Sequence, residues 1–352
     1  MNLLLLTSHS IAEYDDLRMF SDAGYDAFSI GAYTDPAHTA DDKRPALPEV
    51  PYHSDLAAYC ERQREKHAGE STLWVVDWAK GDLHPTVIEW ADAIIVHHFP
   101  IPWIVAQWPR LKHKRVIWRT CGQSDPALES YMAPLRGLQI VRYSPRERIA
   151  FEKAGSFAGE DALIRFGKYP SDWHGWTGEE AVVGNVTQDM ADRADATNLA
   201  FYLAATKGLP AKPAGPGSEK LPGGIGALSY DDMRAYLRRI RAYLYTGTQP
   251  ASYTLGLIEA MMTGVPVVSI GPKGMWMPDL FEGHDLAAIY GNTAEQAGFH
   301  IAQVLHHPSV GDWIRQRQRA IELFGIERIS AEWRAFLGEP AQPAKALAEA
   351  AA

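Results

Sequence analysis

The chain predicts an α/β protein built from two doubly wound parallel sheets. Short apolar runs alternate with helical stretches along most of its length, no two runs read as a hairpin, and 352 residues suffice for two separately cored domains.

Residues 2–6 form the first buried strand, which ends in Thr7, Ser8, His9 and Ser10 before a helix over 11–23 and a strand over 26–30. Ligands of such sheets sit at the carboxyl ends of the strands. No glycine-rich fingerprint follows the first strand, which argues against a tightly held dinucleotide. Residues 34–53 are polar and proline-rich and read as a lid or a plain surface insertion. A helix over 54–66, a strand over 72–77 and a helix over 85–90 follow. Strands over 93–96, 115–118 and 139–143 then alternate with helices over 103–108, 126–135 and 145–154. The segment 162–176 (ALIRFGKYPSDWHGW) is a strand running into a linker, with the domain boundary near Pro170; Arg165 and Lys168 on it are solvated or face a site.

The second domain opens with the strand AVVGNVTQ, continues with a helix over 197–206, and reaches Gly215 and Gly217. A short strand and loop over 224–230 and a basic amphipathic helix over 231–241 come next. Residues 312–336 are helical and carry Trp313, Phe324, Trp333 and Phe336; beyond Pro340 the tail reads as disordered or frayed.

A formal net charge of −9 gives no global attraction to nucleic acid. The run RLKHKR at 110–115 is a solvated basic turn or a local nucleic-acid contact. Cys60 and Cys121 form neither a metal nor a disulfide pattern. The apolar run Leu3 to Leu6 is too short for a signal peptide core or a membrane span, and a cytoplasmic protein is expected.

The stretch 243–270, YLYTGTQPASYTLGLIEAMMTGVPVVSI, carries the chemistry. A strand ends in the turn cluster Thr246 to Pro250, and Ser252 is placed to cap a helix. That leaves the amides of Tyr253, Thr254 and Leu255 at its positive end, an anion site. Ser252, Gly256 and Glu259 share one helical face, with Ser252 and Glu259 about 10 Å apart along the axis. A diphosphate at the N-terminus could set its ribose hydroxyls against Glu259. Equally, Glu259 reads as a solvated carboxylate and the Gly, Ser and Thr residues as ordinary turn and cap chemistry.

The run GLIEAMMTGVPVVSIG resembles the signature of retaining GT-B glycosyltransferases of family GT4, the glycosyl transferases group 1 type. Glu259, Ala260, Met261, Gly264, Val265, Pro266, Val267 and Val268 match; the first Glu of the family's pair falls on Ala251. The resemblance implies a GT-B fold of two Rossmann-like domains whose sheets face a central cleft. Residues 1–170 would form the acceptor-side domain, 171–311 the nucleotide-sugar domain, and 312–339 helices that pack back on the first domain; the tail over 340–352 is left over. It also implies a ribose role for Glu259. Ser252, Tyr253, Thr254, Leu255, Gly184, Asn185 and Leu228 become donor-side candidates. Gly184 and Asn185 stand where relatives have Gly-Arg, which makes Arg193 the best cation for the donor diphosphate. His97 and His98, at the end of ADAIIVHHFP, are candidate sugar contacts. Ser8, His9, Ser10 and Thr120 are acceptor-side candidates, with Thr120 where many relatives carry His. Met275, Trp276 and Met277 before Pro278 and Asp279 suggest a lining or lid.

With no Asp-x-Asp motif, no metal and no cofactor are expected beyond the nucleoside diphosphate sugar itself, a UDP- or GDP-sugar. In a retaining transfer the leaving diphosphate oxygen can take the acceptor proton; in an inverting one, His97, His98 or Glu13 would serve as base. Three alternatives stand beside transfer to a glycan or small molecule. One is a nucleotide-sugar-binding protein without turnover, suggested by Ala251, Thr120 and Asn185. The others are transfer to a modified DNA base and an epimerase of similar fold.

Overall fold

The computed structural model describes residues 1–7, 9–29, 44, 83, 85–97, 101–122, 125–271, 278–282, 287 and 289–340. The chain divides into two units, one comprising 1–167 with 329–352 and the other 168–328. The expected loop over 34–53, the helix over 54–66, the strand over 72–77, Met275 to Met277, Cys60 and the tail beyond Pro340 lie outside the described residues, apart from Arg44.

In unit 1 the elements run β1 (Asn2–Thr7), α1 (Ser10–Asp22), β2 (Asp26–Ser29), α2 (Pro85–Trp90), β3 (Ala93–His97), α3 (Ile101–Leu111), β4 (Arg115–Arg119), α4 (Pro126–Met132), β5 (Gln139–Arg142), α5 (Pro145–Ala154) and β6 (Ala162–Leu163). The strands form one parallel sheet in the order β2-β1-β3-β4-β5-β6. β1 and β3 are buried on both faces, which is why Leu3 to Leu6 and Ala93 to Val96 read as unbroken apolar runs rather than alternating ones. The helices open on local caps: His9 for α1, Asp125 before Pro126 for α4, Ser144 before Pro145 for α5.

Unit 2 contains β7 (Glu180–Val186), α6 (Leu199–Ala205), β8 (Ala211–Ala214), α7 (Tyr230–Arg239), β9 (Ile240–Tyr245), α8 (Leu255–Thr263), β10 (Val267–Ile270), β11 (Tyr290–Gly291), α9 (Ala294–His306), α10 (Pro308–Arg315) and α11 (Ala320–Phe324). Its parallel sheet has the order β11-β10-β9-β7-β8. The strand expected within 224–230 is absent, and the sheet position belongs to β8. The later segment turns back over β8 instead, so tightly that a Cβ on Gly223 (φ 74) would meet the Ala211 carbonyl at 2.1 Å. The helix expected over 231–241 stops at Arg239, because Ile240 is extended and pairs with Glu180 of β7.

The last helix, α12 (Ile326–Leu337), starts at the end of unit 2 and belongs to unit 1 from Ile329 on. The expected return to the first domain is therefore confined to that segment, and the helices over 312–328 stay with unit 2. Trp333 is fully buried, its ring 5.2 Å from Phe20. Arg115 donates to the carbonyls of Phe336 (2.7 Å) and Leu337 (2.8 Å), two of the orphan carbonyls at this helix end, and the Tyr25 hydroxyl donates to that of Gly338 just beyond it (2.6 Å). The basic run at 110–115 is explained in part by these contacts. Arg110 donates to the Leu83 carbonyl and Lys114 to that of Glu89, leaving Lys112 and His113 as its exposed members.

Candidate functional site

In unit 2 the carboxyl end of β9 runs into a loop that ends at α8. Asn198, held in the left-handed region (φ 56), donates through Nδ2 to the Thr246 carbonyl at 2.8 Å. The Gln249 amide donates to the Ala196 carbonyl at 2.6 Å. The loop is thus fastened to the segment that precedes α6.

The helix is capped by Thr254, not by Ser252 as expected. Thr254 Oγ1 accepts from the Leu257 amide and its carbonyl from the Ile258 amide. The reason is packing: Ala251, Ser252 and Tyr253 are buried in the loop, and the Tyr253 ring meets Phe324 edge-on at 5.6 Å. The start of the helix therefore shifts to Leu255, and the amides of Leu255 and Gly256 precede the intrahelical ladder. A Cβ on Gly256 would sit 3.1 Å from Val186, so this residue lets α8 approach β7.

Glu259 is not solvated: it is 5% exposed and its Oε1 accepts from Lys168 Nζ at 2.7 Å. Lys168, legible in the sequence only as a linker cation, is 1% exposed. Its amide donates to the Phe324 carbonyl (2.8 Å) and its carbonyl accepts from the Ile326 amide (3.1 Å), a parallel bridge centred on Gly325. Trp173 lies beside the ammonium, its ring centre 5.8 Å from Nζ. Tyr243, whose hydroxyl accepts from the Val186 amide at 3.0 Å, is pushed up in pKa by burial, with the charge of Glu259 adding to the effect.

The other donor-side candidates have structural partners. A Cβ on Gly184 would meet the Tyr236 hydroxyl at 2.3 Å, and the Asn185 amide side chain donates to the Leu244 carbonyl of β9 at 2.8 Å. Asn185 is therefore held inside the sheet. Arg193 is exposed on a turn, its amide bonded to the Asp189 carbonyl, and Leu228 is half-buried in a loop.

In unit 1, His97 ends β3 in register with Thr7 and Arg119. It is buried, stacks on Phe166 with centroids 5.6 Å apart, and places Nδ1 3.7 Å from Asp16 Oδ2. Arg119, fully buried, pairs with the same Asp16 carboxylate and donates to the Arg165 carbonyl. The Asp16–Arg119 pair had no local signal in the sequence. His9 caps α1 and Ser10 is its first residue, while Ser8 and His98 lie outside the described residues. Glu13 is buried and accepts from Ser29 Oγ, so it is packed into the sheet.

Thr120 is fully buried. It donates to Glu147 Oε2 at 2.6 Å, and the Tyr143 amide donates to the same oxygen at 3.3 Å. Burial pushes the Glu147 carboxyl up to about 8, against the pull of Thr120, Arg142 and the Tyr143 amide and with a further push from Glu129. Since the folded value lies above the ordinary 4.5, the protonated carboxyl favours the fold, and that contribution is lost as pH rises from about 4.5 to 8. Glu147→Gln, neutral throughout, is expected to gain on the wild type by an amount on the order of a few kcal/mol between about pH 5 and about pH 9. Thermal melts at both pH values check this; a difference that does not change with pH would refute it.

Among the described residues no group of three or more His, Cys, Asp or Glu side chains is placed to hold a metal ion, and no helix is long and apolar enough to cross a membrane.

No protein-family model and no curated protein matches the chain. Solved structures do. Alr3699/HepE from Anabaena, in complex with UDP-glucose, aligns with a TM-score of 0.67 at 15% identity, covering 96% of this chain and 99% of that one. A sucrose-phosphate synthase from Thermosynechococcus elongatus gives 0.62 at 14% identity, covering 96% and 98%. A glycosyltransferase from Rickettsia africae ESF-5 gives 0.59 at 10%, with 96% and 98% covered. The likeness is one of fold: two parallel-sheet α/β units of the GT-B kind.

Proposed function

We propose that the chain is a glycosyltransferase that takes a nucleoside diphosphate sugar as donor and holds it in unit 2. The observation that carries this is Glu259, a carboxylate kept charged-paired and almost fully buried on α8, in the run that resembles the GT4 signature. A surface carboxylate would need no such partner. The solved Alr3699/HepE structures contain UDP and UDP-glucose, which makes a UDP-sugar the first donor to test, followed by a GDP-sugar.

The chemistry follows from the leaving group. Charge grows on the diphosphate as the glycosidic bond breaks, and the N-terminus of α8 at Leu255 and Gly256 can meet it, with Arg193 as the supporting cation. Transfer is assigned as metal-independent and retaining, the leaving oxygen itself accepting the acceptor's proton. The acceptor is a glycan or small molecule. A DNA base is disfavoured, because Arg110, Lys114 and Arg115 are engaged with carbonyls of the protein itself.

One observation favours a second reading, donor binding without transfer: Thr120 and Asn185 are committed to bonds within their own units. Turnover separates the two, since sugar release or transfer occurs only in the enzyme. A thermal-shift and calorimetric screen of UDP, GDP, ADP and TDP, with and without EDTA, tests the donor assignment. A ligand that binds only the folded protein adds about 2.7 kcal/mol at about 100 times its Kd. The expected result is stabilisation by UDP or GDP undiminished by EDTA. Stabilisation by none of the four would overturn the assignment, and stabilisation that needs a divalent ion would overturn its metal independence.

A further inference from the structure

We propose that Lys168 is a positioning residue of the donor site: its ammonium fixes the Glu259 carboxylate in the orientation from which it takes a ribose hydroxyl of the donor. The proposal rests on the donor assignment above. An ammonium and a carboxylate buried together lose more hydration than their attraction restores unless the geometry is close, and apolar residues of like volume often give a more stable interior. At 1% and 7% side-chain exposure the pair is therefore a poor device for stability alone. Its value is orientation.

The position of Lys168 is itself set from two directions. The bridge to Phe324 and Ile326 fixes its backbone, and Gly325 between them closes tightly on the end of α11, where a Cβ would lie 2.5 Å from the Ile321 carbonyl. Phe324 in turn packs on Tyr253, in the loop that leads into α8. The helix carrying Glu259, the loop before it and the segment holding Lys168 thus form one connected structure within unit 2. The same bridge lies beside both passages of the chain between units, at 167/168 and 328/329.

Calorimetry with full-length protein tests the idea, using UDP and 2′,3′-dideoxy-UDP as probes, with the GDP pair in parallel. The wild type is expected to prefer the hydroxyl-bearing nucleotide by about 10- to 100-fold, the usual strength of a hydrogen bond to a charged group. Glu259→Gln shrinks that preference. Lys168→Met is expected to bring the ratio toward one while leaving dideoxy-nucleotide affinity unchanged, and Lys168→Arg to restore part of it. A merely structural lysine would lower both affinities together. If Lys168→Met does not fold, Lys168→Met/Glu259→Gln, which removes both charges of the pair, is compared with Glu259→Gln: a lysine that acts only through the carboxylate adds no further loss of preference. A preference kept in Lys168→Met, or a loss in the double variant beyond that of Glu259→Gln alone, overturns the proposal while the donor assignment stands; a preference insensitive to Glu259→Gln removes the ribose role of Glu259 and overturns both. Failure of the wild type to bind any of the nucleotides overturns both.

Discussion

Glu259→Ala is expected to lower the stability of unit 2 by about 3–5 kcal/mol, because it leaves the Lys168 ammonium buried without its carboxylate. Glu259→Gln retains an acceptor and should lose less, and Lys168→Met/Glu259→Gln less again. Urea unfolding of the three variants measures the order directly. An alanine variant as stable as the wild type would contradict this. Because the alanine variant removes the partner of the buried ammonium, the glutamine variant is the cleaner probe of donor binding.

Trp333→Ala is expected to cost unit 1 about 3–5 kcal/mol, the range for removing a large aromatic side chain from a packed core. The indole is fully buried, edge-on to Phe20 at 5.2 Å and to Phe336 at 6.0 Å, with the Arg119 guanidinium 5.4 Å from its ring centre. The truncation leaves a cavity and uncovers a charged group already engaged with Asp16. Because the two units have separate cores, the loss should fall on one unfolding transition and not the other. Proteolysis in urea, with fragments identified by mass, would show early cleavage within 1–167. Early cleavage confined to 168–328 would contradict the placement of Trp333 in unit 1.

Much of this architecture was legible in the sequence because parallel strands buried on both faces write themselves as local apolar runs. Ala93 to Val96 and Val267 to Ile270 are such cases, and caps such as Asp125 with Pro126 and Ser144 with Pro145 mark helix starts within a few residues. What local pattern cannot carry is a partnership across sequence. Lys168 and Glu259 are 91 positions apart, and Asp16 and Arg119 are 103 apart, so neither cation could be distinguished from a solvated one. The helix start at 255 failed for a related reason. Ser252 and Thr254 are equally good caps by chemistry, and the contact of Tyr253 with Phe324 decided between them. Asn185 was read by analogy with a cation at the same place, whereas its amide completes a bond to β9.

The return of α12 to unit 1 also sets an order of assembly. Unit 2 is one unbroken stretch, 168–328, and can close as soon as that stretch has been synthesised. Unit 1 lacks Trp333 and the Arg115 contacts until the chain has grown past Leu337. During synthesis Phe20 and Arg119 wait, uncovered by that helix, while the later unit folds. Completion of unit 1 therefore waits on residues that are synthesised after the whole of unit 2.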